Sequence, residues 1–156
     1  MIRKRTVQFL LALLFLFAGQ LHAADFPPTP TTLDGVEIVD ADYMFQAMES
    51  EAALIVDARK PHAFKSAHIP GAVFCAPHSS KADLGANEVD AAVAFMHSCG
   101  EVMQADRGKE AIVYCASARC WRSPKAALAL KKIGFTNVKW LRDGMKSWEK
   151  NEFPVE

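Results

Sequence analysis

The stretch Ile112-Val-Tyr-Cys-Ala-Ser-Ala-Arg-Cys-Trp-Arg-Ser-Pro-Lys-Ala-Ala127 carries three apolar residues into a thiol, then a small and basic loop, then the start of a helix. Residues 112–114 have the character of a buried strand. Ser123-Pro124 offers a side-chain oxygen at an N-cap and a proline at the first helical position, which predicts a helix over 123–133. The loop 115–122 is thereby held at both ends. Its backbone N–H groups and the first turn of the following helix face whatever the loop encircles, and the helix dipole adds partial positive charge there. Free cysteine titrates near pH ~8.5, but thiols beside helix N-termini and cations fall to about 3.5–7.5. Cys115, with Arg119 and Arg122 following it, therefore reads as an ionised nucleophile. The competing reading is a cysteine that ends a strand and packs.

Working outward from this loop, short apolar runs over 36–39, 53–56, 72–75 and 137–141 suit strands buried on both faces of a parallel sheet. Between them, helical spacing of apolar positions or helix-end signals predict helices over 40–48, 60–65, 89–97 and 145–151, with Asp40 capping the first. Residues 76–87 read as loop. Lys131, Lys132 and Gly134 stand where a helix C-terminus favours them. Strands alternating with helices imply an α/β fold, with a central parallel sheet of about five strands and helices on both faces. In such sheets ligands bind outside the carboxyl ends of the strands. That edge gathers Asp57 and Arg59, Cys75 and His78, Cys115, and Asp143 with Gly144.

At the N-terminus, Arg3-Lys4-Arg5, an apolar run over 7–18 and the small residues Ala23 and Ala24 predict a secretory signal peptide over 1–23. The apolar run is shorter than the ~20 residues that span a bilayer, so no stable membrane anchor is expected after cleavage. The product would be exported, periplasmic or secreted. Residues 24–35 are rich in Pro and Thr and predict an extended, poorly packed linker before a domain over 36–156. Removing Arg3, Lys4 and Arg5 from 18 basic residues leaves 15 against 18 acidic ones, a net charge of about −3. That balance argues against nucleic acid as a partner. Four cysteines in an exported chain permit two disulfides. A chain of this size with 51% hydrophobic residues has enough core without such staples. At least one pair is therefore assigned to chemistry.

The stretch Leu54-Ile-Val-Asp-Ala-Arg59 through His68-Ile-Pro-Gly-Ala72 resembles the signature of the rhodanese-like family, also called the rhodanese/Cdc25 phosphatase fold. Val113-Tyr-Cys115 leading to Ser123 resembles that family's catalytic loop. Gly134-Phe-Thr-Asn-Val138 with Asp143-Gly144-Met145, Trp148 and Phe153-Pro-Val155 resembles its C-terminal signature. The resemblance covers the chain from about Val36 to Glu156 and implies a three-layer rhodanese-like fold. It further implies a sulfurtransferase in which the Cys115 thiolate takes sulfur from a small anionic donor such as thiosulfate. The sulfur is held as a persulfide and passed to a thiol or cyanide-like acceptor. Ala116, Ser117, Ala118, Arg119, Cys120, Trp121 and Arg122 would form the substrate cradle, without metal or organic cofactor. Asp57, Arg59 and His68 would be structural supports of the site edge. The loop spans eight residues, longer than in the family's sulfurtransferases and phosphatases, with Ala118 where glycine is common.

Cys120 lies five residues after Cys115, close enough for a disulfide or for attack on a persulfide. Two further readings follow: a thiol–disulfide protein cycling Cys115 and Cys120 with a protein redox partner, or a non-enzymatic module that binds an anion or a partner. Cys75 is expected to pair with Cys99 or to pack alone, in preference to joining His78 and Cys120 around zinc. Trp121 is expected to pack over the sheet edge. Asp143 either lines the pocket or caps the last helix.

Overall fold

The computed structural model describes residues 26–156; the expected signal peptide lies outside the described residues. Five strands form one sheet: β1 (Glu37–Val39), β2 (Leu54–Asp57), β3 (Val73–Phe74), β4 (Ala111–Tyr114) and β5 (Val138–Leu141). Their order is β1-β5-β4-β2-β3, and every neighbouring pair is parallel. The alternation of strand side chains divides the core into two layers. Val56, Val113 and Trp140 face one way, while Ile55, Ile112, Tyr114 and Leu141 face the other. On the first face lie α3 (Ala86–Met96), α4 (Gly100–Gln104) and α5 (Arg122–Lys132), which bring in Ala92, Met96, Val102, Ala126 and Leu130. On the second face lie α1 (Ala41–Glu49), α2 (Pro61–Ser66) and α6 (Gly144–Lys150), with Met44, Phe64, Met145 and Trp148. This is the α/β sandwich of a parallel sheet expected from the runs of apolar residues. Among the described residues no helix is long and apolar enough to cross a membrane.

Local chemistry accounts for the ends of these elements. Asp40 caps α1 by accepting from the Tyr43 amide at 2.9 Å. Cys75, the residue after β3, is disulfide-bonded to Cys99 just ahead of α4, pinning the sheet's short edge strand to the helical layer. Lys139 emerges on the α1 face, where burial opposes its charge. Hydrogen bonding to Glu37 and Tyr43 outweighs that and raises its pKa above the usual lysine value. Lys125 is fully buried beneath the loop between β3 and α3, donating to the Ser79 hydroxyl at 3.1 Å and pairing with Glu88 at 2.5 Å.

Two expectations need correcting, and one short helix was unforeseen. The helix after the cysteine loop begins at Arg122, so Ser123 sits at its second position and is no cap. Its buried hydroxyl instead accepts from Trp140 Nε1 at 3.0 Å and lies 3.3 Å from the Cys120 carbonyl. A core indole N–H needs an acceptor, and that need outranks the local capping preference. Helix α4, five residues long, is too short to register as periodicity. Finally, residues 26–31 are no loosely packed linker but a strap fastened across the cysteine loop. Thr29 is 2% exposed. Its amide and hydroxyl both donate to the Ala118 carbonyl at 2.8 Å, while Arg142 donates to the carbonyls of Thr29 and Pro30. Prolines leave the strap's carbonyls without local partners, and two surrounding arginines and an indole supply donors.

Candidate active site

Cys115 is the first residue beyond β4, at the carboxyl edge of the sheet, and is 1% exposed. The following loop is oriented by what holds its carbonyls. Cys115 O accepts from the Met145 amide at 2.8 Å and Ala116 O from the Lys146 amide at 3.0 Å, both in the first turn of α6. In a trans peptide the C=O and the next N–H point in opposite directions. Fixing these two carbonyls toward α6 therefore turns the amides of Ala116 and Ser117 to the other side of the loop. At the loop's far end, the first-turn amides of α5 have no intrahelical acceptors, and the helix adds its positive dipole end.

The close approach of α6 depends on Gly144. Its φ is +60°, and a Cβ there would press into the Cys115 carbonyl and the Ala116 backbone. Gly144→Ala is expected to cost about 1–3 kcal/mol for the left-handed backbone alone, plus the displacement of the loop. Gly71→Ala is the matched control, since its φ is +73° but nothing lies within 4 Å of the added carbon. Urea denaturation of both variants should show Gly144→Ala clearly less stable; equal losses would mean that the contact with the loop is unimportant.

Behind the loop, Asp57 holds Arg59 by a fork: Nε lies 2.9 Å and Nη2 2.7 Å from Oδ2. Arg59 Nη2 also donates to the Ala67 carbonyl at 2.6 Å, and the Tyr114 hydroxyl donates to Asp57 Oδ2 at 2.6 Å. Burial opposes the charge on Arg59, but hydrogen bonding and attraction from Asp57 more than offset it and raise its pKa. Burial, reinforced by the Asp57 carboxylate, pushes the Tyr114 hydroxyl far above its ordinary range, so it remains a donor. The cluster fixes Tyr114 and Ala58, and the Ala58 carbonyl lies 3.7 Å from Cys115 Sγ. His68 stands apart from the loop. It contacts the Phe64 carbonyl at 3.0 Å, stacks on Phe64 and meets Glu156 at 3.3 Å, tying down the C-terminus.

Cys115 and Cys120 are joined as a disulfide, their Cα atoms 6.0 Å apart. The loop folds back because the Cys120 amide donates to the Ser117 carbonyl at 2.9 Å, closing a turn. Arg119 Nη1 donates to the Phe26 carbonyl at 2.7 Å and Trp121 Nε1 to the Pro27 carbonyl at 2.9 Å, so both are bound to the strap. Arg122 is half-buried, and burial lowers its pKa. It lines a cavity of about 170 Å³ together with Arg59, Lys60, His78, Phe74 and Phe95, the His78 ring meeting Phe95 edge to face at 4.6 Å. A larger cleft of about 440 Å³ opens on the opposite side of the loop, between Ser117, Arg119, Asp143 and Lys146. Asp143 precedes α6 without bonding its amides and lines that cleft. Among the described residues no three His, Cys, Asp or Glu side chains converge as a metal site.

The structure thus brings residues 115–122 together with Asp57 and Arg59, and leaves His68 at the C-terminal tail. Sequence reasoning missed Gly144 as the loop's clamp, Tyr114 as the third member of the Asp57 cluster, and the strap. The signals for the first were a glycine following an acidic residue at the end of the last strand and its place in the C-terminal signature. The strap's composition pointed the wrong way.

Among solved structures, the fold is similar to a protein of Bacillus halodurans at 25% identity and a TM-score of 0.59, over 78% of this chain and 77% of that one. It is also similar to the rhodanese-like domain of an Anabaena protein, at 22% identity and a TM-score of 0.55 over 76% of each chain. A Rhodopseudomonas palustris protein of unknown function, described as a possible tyrosine phosphatase, matches at 22% identity and a TM-score of 0.56, over 83% of this chain and 98% of that one. No curated protein matches the chain. The family model for the rhodanese-like domain matches residues 40–151, which hold the whole sheet beyond β1, the cysteine loop and the α6 clamp, and the chain belongs to the rhodanese-like domain family.

Proposed function

We propose that the protein is a sulfurtransferase acting outside the cytoplasm, in which Cys115 carries the transferred sulfur. The observation that supports this most is the seat of Cys115. It follows a central strand, with loop carbonyls held toward α6 and the adjoining amides turned across a loop that opens onto the N-terminus of α5. Such a setting favours a thiolate and, after transfer, an anionic persulfide. In the reaction the reduced Cys115 thiolate attacks the outer sulfur of a thiosulfonate or of thiosulfate. The donor's S–S bond breaks, sulfinate or sulfite leaves with the bonding pair, and Cys115 becomes a persulfide. Attack of an acceptor thiolate or cyanide on the terminal sulfur returns the Cys115 thiolate. Arg122, Lys60 and His78 around the small cavity suit an anionic donor, and Phe74 and Phe95 suit an apolar substituent on it.

The Cys115–Cys120 disulfide favours a second reading, thiol–disulfide exchange with a protein partner and no sulfur loading. One measurement separates them. Reduced Cys120→Ser protein, freed of reductant and incubated with the methanethiosulfonate anion or thiosulfate under quenching that alkylates thiols at once, should gain one sulfur atom at Cys115 by peptide mass mapping. A protein that only loses two hydrogens across Cys115 and Cys120 under mild oxidant, and never gains sulfur even when Cys120 is replaced, belongs to the second reading. One that does neither is a binding module.

A further inference from the structure

Resting on the carrier role of Cys115, we propose that Cys120 discharges the persulfide internally, so that the protein reduces sulfane sulfur to sulfide at the expense of an external dithiol. The turn closed by Cys120 N–H to Ser117 O brings the second sulfur onto Cys115 Sγ itself, the bond the structure contains. Cys120 is held in that place from three sides. Its own amide is used in the turn, its carbonyl faces the Ser123 hydroxyl, and the next residue, Trp121, is anchored to Pro27. A thiol so placed meets a Cys115 persulfide at the inner sulfur. The Cys120 sulfur bonds to Cys115 Sγ, the bond from Sγ to the outer sulfur breaks, and the outer sulfur leaves with the electron pair and the Cys120 proton as hydrosulfide. Two thiols have been oxidised to a disulfide and one sulfane sulfur reduced to sulfide, so the electrons balance.

The disulfide is then reopened from a defined side. Cys115 is 1% exposed, whereas Cys120 is only half-buried, so an incoming dithiol reaches Cys120 Sγ. Attack there expels Cys115 as a thiolate into the field of the loop amides and α5, where it is the better leaving group. The second thiol of the reductant resolves the mixed disulfide, leaving both protein thiols free and the reductant oxidised.

A single turnover tests this. Reduced wild-type protein and the Cys120→Ser and Cys120→Ala variants, each freed of reductant under anaerobic conditions, receive one equivalent of the methanethiosulfonate anion as its sodium salt. Trapped sulfide is measured and cysteine peptides are mapped by mass. The expected result is one sulfide per wild-type chain with Cys115 joined to Cys120, and both variants retaining one extra sulfur on Cys115 and releasing none. If wild type also retains the sulfur and releases no sulfide, internal discharge is overturned while the carrier role stands. If neither variant gains sulfur, the carrier role itself fails.

Discussion

Cys115→Ser is expected to abolish sulfur loading, with turnover on any sulfane donor falling on the order of 10³-fold or more, because the loop thiol that remains, Cys120, has its own amide used in the turn to Ser117 and does not occupy the seat at the end of β4. The variant also loses the disulfide to Cys120, and a loop that short constrains the unfolded chain by about 2 kcal/mol in the chain-entropy view. A loss of activity through unfolding must therefore be told apart from a loss of chemistry. Cys120→Ser provides the comparison, since it breaks the same disulfide but leaves the carrier. The two variants should unfold at similar urea concentrations, and only Cys115→Ser should fail to take up sulfur. Equal sulfur uptake by both would overturn the assignment of Cys115, whatever their stabilities.

Most of the sheet was legible because buried parallel strands have a plain physical signature. Ile55-Val56, Ile112-Val113 and Trp140-Leu141 are adjacent apolar pairs, each of which sends one side chain to either helical layer. The position of Cys115 was legible for a related reason: a buried apolar run followed by a small-residue loop and a helix start sets the thiol at the carboxyl edge of the sheet. What escaped was whatever depends on residues brought from far along the chain. Gly144 matters only because the Cys115 carbonyl sits against it, and Thr29 only because the Ala118 carbonyl does. Proline and threonine predict an extended backbone correctly, but they say nothing of whether arginines elsewhere will gather its carbonyls. Ser123 failed in the same manner, since the local cap signal was overridden by the N–H of Trp140 across the core. The sequence-adjacent pair Asp57 and Arg59 could be read together; Tyr114, which completes their cluster, lies on another strand.

That cluster carries the largest expected effect on stability. Asp57 is fully buried and accepts from Arg59 and Tyr114, while Arg59 is 8% exposed. Asp57→Ala strands a buried guanidinium without its counter-charge and removes the acceptor of the Tyr114 hydroxyl, a loss of about 3–5 kcal/mol. In a domain of this size that corresponds to a fall in Tm on the order of 10 °C. Asp57→Asn keeps an acceptor but no charge and should fall between Asp57→Ala and wild type. Tyr114→Phe removes the donation to the Asp57 carboxylate and the acceptor of the buried Ile69 amide, and should cost about 1.5–3 kcal/mol. The pair Asp57→Ala with Tyr114→Phe should cost less than the sum of its parts, because the hydroxyl loses the same partner in both. Since Tyr114 leads directly into Cys115, and Ala58 O touches its sulfur, the folded fraction of Asp57→Ala should also load sulfur more slowly. An Asp57→Ala protein as stable as wild type would show that Arg59 finds its compensation elsewhere, and that the cluster does not hold the loop.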